Sequence, residues 1–345
     1  MNEPRHLALG TCALGRAIDA DGLPLDGGPI LRGRMVALRL RAPRPDERVP
    51  IAMPFWTGVR VIDGLLTIGR GARVGIFGAP GAGKSRLLDT IVEGCAADAV
   101  VVALVGERGR EANDWIGRRN DRTTIVCATS DRGAHDRLRA AHVAFMQAVA
   151  LRERGLHVLL LLDSLARVAS ALREIAVATG ESAGRGGFPP SVFAHMAQLV
   201  EVAGAVADGS ITLIATVIHE GDERDPVSEA ARALLDGHIA LALRFAEAGR
   251  FPAVDVPASA SRTMDGVVQP KHRAAALIVR RALATLERLD DARALGIEPV
   301  TGEAAAAVAG EKRIEAFVRQ DQRATASRAM LEELDAIAGL LAANR

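Results

Sequence analysis

A glycine-rich stretch in the first third of the chain has the residue types and spacing that phosphate binding requires. It reads GAPGAGKS and fits the pattern GxxxxGK[ST] at Gly78, Gly83, Lys84 and Ser85. In such a loop the glycines let backbone N–H groups converge on phosphate oxygens, the lysine reaches the outer phosphates, and the hydroxyl ligates Mg²⁺. The predicted phosphate loop comprises Gly78, Ala79, Pro80, Gly81, Ala82, Gly83, Lys84 and Ser85. It predicts a site for ATP with Mg²⁺, in which Ser85 is a metal ligand.

The segments that flank this loop decide between a functional site and a chance match in a glycine-rich chain. RVGIF precedes the loop and SRLLDTIVEG follows its lysine. A phosphate loop must join a strand to the N-terminus of a helix, because the partial positive charge there adds to the anion site. Both flanks fit this requirement, and they favour the functional interpretation.

Hydrolysis needs more than a phosphate loop, and an aspartate provides the first further group. The run VLLLLD ends at Asp163, which is the pattern of a buried strand that delivers an acid to the carboxyl edge of a sheet. Ligands bind at that edge in open α/β sheets. We predict that Asp163 is associated with Mg²⁺ through water. The alternative is an N-cap aspartate of the helix that SLARVASAL predicts.

A second acidic residue follows another strand. In VVVALVGERGRE, Glu107 lies just past the strand end, where a carboxylate could orient and polarise the attacking water. Arg108 could contact the γ-phosphate. The residues alone leave open that ERGRE is a solvated, charged turn.

These groups require a sheet whose strands end at one edge. Continuous apolar runs predict strands over residues 73–77, 100–105, 123–127, 158–162, 211–218 and 239–243. Continuous runs are typical of strands that are buried on both faces, so an α/β fold with a mostly parallel sheet is expected. Helical periodicity predicts helices over residues 84–95, 134–154 and 192–207, and a C-terminal helical region that includes residues 272–296 and 311–341.

Composition limits the possible functions. Lys+Arg number 43 and Asp+Glu 42, so no overall basic field points to nucleic acid. The three cysteines are widely spaced without a CxxC pair, which argues against a disulfide framework or a zinc ribbon. The N-terminal residues do not resemble a secretory signal, and the longest apolar run is too short to span a bilayer, so any membrane role is expected to be peripheral.

Several segments occur in an order that resembles one family. They include TGVRVIDGLLTIGRGARVGIFGAPGAGKSRLL, VVALVGERGRE, VLLLLDSLARVA, FPPSVFAHMAQLVEVAG, LLDGHIALA and FPAVDVPASASR. Together they resemble the ATPase of type III secretion systems and its flagellar export counterpart, which are related to the catalytic subunit of rotary ATP synthases. The resemblance implies a RecA-like core in residues 51–268, a C-terminal helical domain in residues 269–345, and a remnant of the N-terminal domain in residues 1–50.

The resemblance also implies roles for single residues. Glu107 looks like the family's catalytic glutamate, and Arg108 like the neighbouring phosphate-contacting arginine. Arg167 matches an arginine near the active site. Arg262 matches the arginine finger that reaches the nucleotide of an adjacent subunit. Phe251 lies where the family usually has a tyrosine that stacks on adenine, and the phenyl ring preserves that stacking face.

The chain also departs from the family pattern. Arg86 follows the loop serine where a small residue such as threonine is common; it could alter nucleotide contacts or lie on the solvent side. The family's N-terminal β-barrel, which helps hexamers assemble, is not evident in the sequence. We therefore expect a chain of this length to be mostly monomeric in dilute solution, with weak ATPase activity, although the full-length family forms hexamers.

The preferred hypothesis is an Mg²⁺-dependent ATPase that energises type III secretion from the cytoplasm, at the inner-membrane face of the apparatus. Its implied partners are stator and central-stalk proteins and chaperone–effector complexes. Flagellar export, a non-catalytic nucleotide-binding subunit and a hexameric RNA translocase are the alternatives. Residues 1–50 contain no aromatic residue for stacking on RNA. Among the histidines, His219 is expected in a loop near the site.

Overall fold

The computed structural model describes residues 5–218, 225–294 and 302–343. Their contacts divide the chain into two compact units. The first, here called the sheet unit, comprises Met1–Ile51, Arg70–Phe77 and Ala97–Asp236. The second, here called the helical unit, comprises Ala52–Gly69, Gly78–Ala96 and Gly237–Arg345. His219, which the sequence places near the site, lies outside the described residues.

The strands, in chain order, are β1 (His6–Ala8), β2 (Ala17–Asp19), β3 (Met35–Ala37), β4 (Pro54–Phe55), β5 (Ile68–Gly69), β6 (Arg73–Gly78), β7 (Ala99–Glu107), β8 (Thr123–Thr129), β9 (His157–Asp163), β10 (Gly204–Val206), β11 (Gly209–Ile218), β12 (Gly237–Leu241) and β13 (Val254–Ser261).

The α-helices are α1 (Arg60–Leu65), α2 (Lys84–Gly94), α3 (Gly109–Arg118), α4 (Ala134–Arg152), α5 (Leu165–Ala178), α6 (Pro190–Val200), α7 (Pro226–Leu234), α8 (Leu243–Glu247), α9 (Met264–Val267), α10 (Pro270–Ala294), α11 (Gly302–Val318) and α12 (Ser327–Ala343). None of the helices in the described residues is both long enough and apolar enough to cross a bilayer.

The sheet unit is built on strands in the order β6-β11-β9-β7-β8-β2. The pairs β11/β9, β9/β7, β7/β8 and β8/β2 are parallel, and β10 pairs antiparallel with β11. Residues 99–105 of β7 and residues 158–162 of β9 are fully buried. Successive side chains point to opposite faces, so both faces of these strands are covered, as the continuous apolar runs predict. Helices α4 and α5 pack against this sheet, and the predicted α/β fold is confirmed.

The first 50 residues add to this sheet. Strand β2 pairs with β8 in the register Ile18 to Val126. The side chain of Gln147, fully buried in α4, accepts a hydrogen bond from the Gly10 N–H (2.6 Å) and donates one to the Gly10 carbonyl (2.9 Å). Leu9 and Ile18 belong to the apolar core of the sheet unit. The dense turn residues of this segment therefore connect short pieces that pack onto the sheet.

The helical unit contains the antiparallel pairs β4/β5 and β12/β13, together with helices α1, α2 and α8–α12. Helices α10, α11 and α12 pack on one another and on α1. At their centre, a Cβ on Gly64 of α1 would lie 2.8 Å from the Phe317 ring and 3.0 Å from Met330 Sδ. A glycine is therefore needed where α1 meets the two C-terminal helices. The predicted C-terminal helical region is confirmed.

The prediction of a helix over residues 192–207 is wrong beyond Val200, where α6 ends. The chain instead forms β10 and pairs Gly204 with Ile211 of β11. The hydrogen bonds of this antiparallel pair satisfy backbone groups that the helix would otherwise have used, so tertiary context outweighs the local periodicity. The predicted strand over residues 239–243 likewise ends at Leu241, because Leu243 begins α8.

One carboxylate organises the turn after β2. Asp26, whose side chain is 1% exposed, accepts hydrogen bonds from Arg16 Nε (2.7 Å) and Nη2 (3.0 Å). It also accepts hydrogen bonds from the N–H groups of Ala17 (3.0 Å) and Gly28 (3.0 Å). The Arg16 guanidinium and these N–H groups hold the pKa of the Asp26 carboxyl well below its usual range.

We predict that Asp26→Asn lowers the free energy of unfolding by about 2–3 kcal/mol at pH 7, because it breaks a buried, bidentate pair. A depressed carboxyl pKa contributes stability above the unfolded pKa of about 4, and this contribution is lost as the pH falls below it. Urea unfolding at pH 7 and at pH 3 measures the effect, and the difference from the wild type should shrink at pH 3. Asp46→Asn is the control, because its pair with Arg44 is exposed. A difference that is equal at both pH values would contradict this account.

Candidate functional site

The glycine-rich loop joins the predicted elements. Strand β6 ends at Gly78, and α2 begins at Lys84. Gly83 is the N-cap of α2 and has a φ of 83°, in the left-handed region that favours glycine. Leu88 and Ile91 of α2 are fully buried and fix the helix in the helical unit. The loop therefore presents its N–H groups and a helix N-terminus at one place, as an anion site requires.

Phe251 lies against this loop. A Cβ on Gly83 would be 2.9 Å from the Phe251 ring, which leaves room only for glycine. The guanidinium carbon of Arg86, the third residue of α2, lies 4.7 Å from the centre of the same ring. A cavity of about 550 Å³ opens beside Phe251 and Arg86. The structure thus brings three predicted site residues together: the last glycine of the loop, Arg86 and Phe251.

Gln320 fixes the position of Phe251, and the sequence analysis missed it. Its backbone N–H donates to the Phe251 carbonyl at 2.8 Å. Its side-chain amide donates to the carbonyls of Gly58 (2.8 Å) and Arg323 (2.6 Å) and accepts from the Arg60 N–H (2.8 Å). One side chain therefore joins the segment before α1 to the segment after α11. No local pattern in FVRQDQR distinguishes this glutamine from a surface residue.

The segment that Gln320 contacts is itself held by a buried acid. Asp63 of α1 accepts hydrogen bonds from the Thr57 N–H (2.8 Å), the Thr57 hydroxyl (2.7 Å) and the Gly58 N–H (2.9 Å). Burial raises the pKa of Asp63 to about 7, although these donors lower it. Asp63 thereby supports the turn on which the Gln320 amide rests.

In the sheet unit, Glu107 is the last residue of β7 and is 2% exposed. Arg167 of α5 forms an ion pair with it, with 2.8 Å between Nη1 and Oε1. The same nitrogen donates to the Gly106 carbonyl at 2.5 Å. This arrangement removes the alternative of a solvated charged turn at Glu107, because the carboxylate is buried and held by a cation.

Asp163 is the last residue of β9 and is 4% exposed. The Thr216 hydroxyl of β11 donates to Asp163 Oδ1 at 2.6 Å. The N-cap of α5 is Ser164, whose hydroxyl accepts from the Arg167 N–H at 3.2 Å. The capping role that was the alternative for Asp163 is thus taken by its neighbour. Thr216 was missed because a threonine within an apolar strand reads as an ordinary β-branched residue.

Arg108 and Arg262 are exposed. Arg108 is the N-cap of α3, next to Glu107. Arg262 directly follows the last residue of β13. It forms no ion pair with another described residue. No group of three or more His, Cys, Asp or Glu residues in the described part of the chain could hold a metal ion.

A strand–glycine loop–helix anion site and acids at the ends of buried parallel strands define a P-loop nucleoside triphosphatase with a RecA-like core. The comparison with protein families agrees. The model of the ATP synthase alpha/beta family, nucleotide-binding domain, matches residues 58–261, which is more than half of the chain. The chain belongs to this family.

Two similar proteins, a secretion ATPase and a flagellar protein, match most of the length of this chain. The type 3 secretion system ATPase of Sinorhizobium fredii is 45% identical over 330 residues, which cover 92% of this chain and 72% of the relative. The flagellum-specific ATP synthase of Salmonella typhimurium is 42% identical over 332 residues, which cover 92% of this chain and 72% of the relative.

Solved structures are similar over almost the whole chain. The assembled ATPase EscN of the enteropathogenic E. coli type III secretion system has a TM-score of 0.92 at 39% identity, and the match covers 96% of this chain and 83% of EscN. A prototypical ATPase from the type III secretion system of pathogenic bacteria has a TM-score of 0.89 at 39% identity, with 96% and 99% covered. The predicted resemblance, fold and ATPase class are confirmed.

The ion pair of Glu107 and Arg167 leads to a prediction about stability. Arg167→Ala should lower the free energy of unfolding by about 2–4 kcal/mol, because it removes the arginine whose ion pair with the buried Glu107 carboxylate is 2.8 Å long. Arg167→Lys should recover part of this loss, since it restores the charge without the planar fork.

Chemical denaturation without nucleotide measures both variants of Arg167. The matched control is Arg108→Ala, which removes a neighbouring but exposed arginine and should change stability by no more than about 0.5 kcal/mol. An equal decrease in the free energy of unfolding for the two alanine variants would show that the buried ion pair does not stabilise the protein more than an exposed arginine does.

Proposed function

We propose that this protein is an Mg²⁺-dependent ATPase that energises type III protein secretion, and that it hydrolyses ATP to ADP and phosphate. The observation that carries the proposal is the buried Glu107 at the end of β7, held by Arg167 at 2.8 Å. A nucleotide-binding subunit without activity has no need of a buried carboxylate there, so this observation favours an enzyme. The names of the similar proteins support the secretion role.

The helical unit supplies the groups that bind the nucleotide. The backbone from Gly78 to Ser85 and the N-terminus of α2 bind the phosphates, and Lys84 neutralises charge on the outer ones. Phe251, positioned through Gln320, is the platform for the adenine ring. The Arg86 guanidinium lies over that ring and contacts the nucleotide.

Three further side chains are proposed to serve hydrolysis. Glu107 orients the attacking water and accepts its proton, which is the task of a general base next to the reacting phosphate. Arg167 positions Glu107, and Arg108 contacts the γ-phosphate.

Mg²⁺, when bound, neutralises charge on the phosphate oxygens. Ser85 would ligate the ion directly and Asp163 would hold it through water. The Thr216 hydroxyl, 2.6 Å from Oδ1, fixes the orientation of the Asp163 carboxylate.

Arg262 completes the site of a neighbouring copy. It is exposed directly after β13, and an arginine supplied in trans stabilises the charge that develops on the transferred phosphoryl group. The similar EscN has been solved as an assembled ATPase, and also in complex with its central stalk EscO. We therefore propose that assembly into a homo-hexamer, with a central-stalk partner, forms the complete site, and that in dilute solution the chain is mostly monomeric with weak activity.

Further partners follow from the secretion role. They are a stator protein and chaperone–effector complexes, and the place of action is the cytoplasmic face of the inner membrane, with peripheral association. The proposed domains are residues 1–50, 51–268 and 269–345. Flagellar export is the second candidate function, because a flagellum-specific relative is nearly as similar as the secretion ATPases.

The first functional prediction concerns Glu107. Glu107→Gln should lower kcat by about 10²–10⁴-fold, because the amide cannot accept the proton of the attacking water. Its affinity for MgADP, measured by calorimetry, should stay within about threefold of the wild type, because binding depends on other groups. Wild-type turnover in this variant, under conditions where the wild type assembles, would refute the mechanism.

The second functional prediction concerns Arg262. Arg262→Ala and Lys84→Ala should each lower ATPase activity by about 10³-fold or more. A 1:1 mixture should regain activity, because about a quarter of the interfaces then pair an intact loop with an intact arginine from the neighbour.

The control mixture combines Lys84→Ala with the double variant Lys84→Ala/Arg262→Ala. No subunit in this mixture has an intact phosphate loop, so it should stay inactive. If the first mixture co-assembles and remains as inactive as its components, Arg262 does not act in trans.

A further inference from the structure

Arg86 is a charged residue whose side chain lies against an aromatic ring of the proposed base site. It follows directly after Ser85 in the first turn of α2, yet its guanidinium lies over the Phe251 ring at 4.7 Å. The contact is a stacked cation–π pair of the kind that arginine forms with aromatic faces. Because α2 fixes its backbone, the Arg86 side chain stays beside any base that approaches this ring.

Two spaces adjoin the ring. One, lined by Gly83, Leu87 and Pro252 as well as Arg86 and Phe251, has room for about 10 Å³. That volume is about one water molecule, so it cannot take a base. The other is the 550 Å³ cavity, whose lining includes Arg86, Phe251 and Asp321. A purine that enters the larger cavity beside the Phe251 ring therefore comes close to Arg86, which lines the same cavity.

Two of the other three arginines that line this cavity, apart from Arg323, form ion pairs with acidic residues. Arg60 pairs with Glu333 at 3.3 Å, and Arg319 pairs with Glu315 at 2.5 Å. Arg86 differs from them because its guanidinium lies over the Phe251 ring. A base that stacks on this ring would displace the guanidinium, which would then lie at the edge of the base.

We propose that Arg86 is a specificity-determining residue of the base site, and that it shifts the preference of the site from adenine toward guanine nucleotides. This inference rests on the proposed function, in which Phe251 is the platform for the base. A guanidinium has five donors and no acceptor. Guanine offers it two adjacent acceptors, O6 and N7, whereas adenine offers N7 beside an amino group that is itself a donor.

Asp321 does not make this distinction. Its carboxylate can accept a hydrogen bond from the amino group of adenine or from the N–H groups of guanine. One of its oxygens accepts from the Arg323 N–H at 3.1 Å, and the other is available in the same cavity. Asp321 can therefore serve either base. We expect the hydrogen-bond donors of Arg86 to discriminate between them, because guanine has two adjacent acceptors and adenine has one.

The test compares the Kd values of MgADP and MgGDP by calorimetry for the wild type, Arg86→Thr, Arg86→Lys and Arg323→Thr. The ratio of the MgGDP Kd to the MgADP Kd should rise by about fivefold or more in Arg86→Thr, because a bidentate contact to O6 and N7 is lost. Arg86→Lys should behave similarly, since it keeps the charge and loses the fork. Arg323→Thr removes an equal charge from the same cavity and should change the ratio by less than about twofold.

The outcomes separate this inference from the proposed function. An unchanged ratio in Arg86→Thr, or equal changes in Arg86→Thr and Arg323→Thr, overturns the role of Arg86 while leaving nucleotide binding intact. If the folded wild type, checked by circular dichroism, binds neither nucleotide, the proposed function fails and this inference fails with it.

Discussion

The structure depends on the complete burial of the parallel strands in the sheet unit. Residues 99–105 of β7 and 158–162 of β9 have no exposed surface, so polar side chains are excluded until each strand ends. An unpaired polar group in that region would cost several kcal/mol, on the order of 2–7. The first acids that the strands tolerate are therefore Glu107 and Asp163, and both lie at the carboxyl edge. The chemistry is placed at this edge because the interior of the sheet cannot accommodate it.

Strand register then determines which side chains meet. Ala215 of β11 pairs with Leu162 of β9, so the next residues along the two strands, Thr216 and Asp163, come side by side. The hydrogen bond between them, at 2.6 Å, follows from this register. A slip of one residue would turn Thr216 to the opposite face of the sheet and break its hydrogen bond to the Asp163 carboxylate. The register of buried strands thus sets the geometry of the acid as well as the stability of the sheet.

The burial of the strands also explains which parts of the fold and the site could be predicted from the sequence. The strands that deliver Glu107 and Asp163 could be predicted because burial on both faces leaves a continuous apolar run, and the phosphate loop because its chemistry allows few residue types. The short strands β1, β2 and β3 could not, because pairing with segments well away in the chain stabilises them. Strand β10 was missed because the apolar residues up to position 207 continue a helical period, although β10 forms a hairpin with β11. Gln320 and Thr216 were missed for a related reason. Each acts through a contact with a residue far away in the chain, 69 positions in the case of Phe251 and 53 in that of Asp163, and no local pattern records such contacts.

Helix α2 links two kinds of recognition that are often described separately. Its first residues, Lys84 and Ser85, are proposed to meet phosphate and Mg²⁺, while the next residue, Arg86, reaches the aromatic ring proposed to bind the base. A rigid helix keeps these side chains at fixed offsets, because each residue advances about 1.5 Å along the axis and turns by about 100°. A small residue after Ser85 would leave the ring open to any flat base. An arginine there adds donors that only some bases can satisfy, so a single position on a phosphate-binding helix can decide which nucleotide fits.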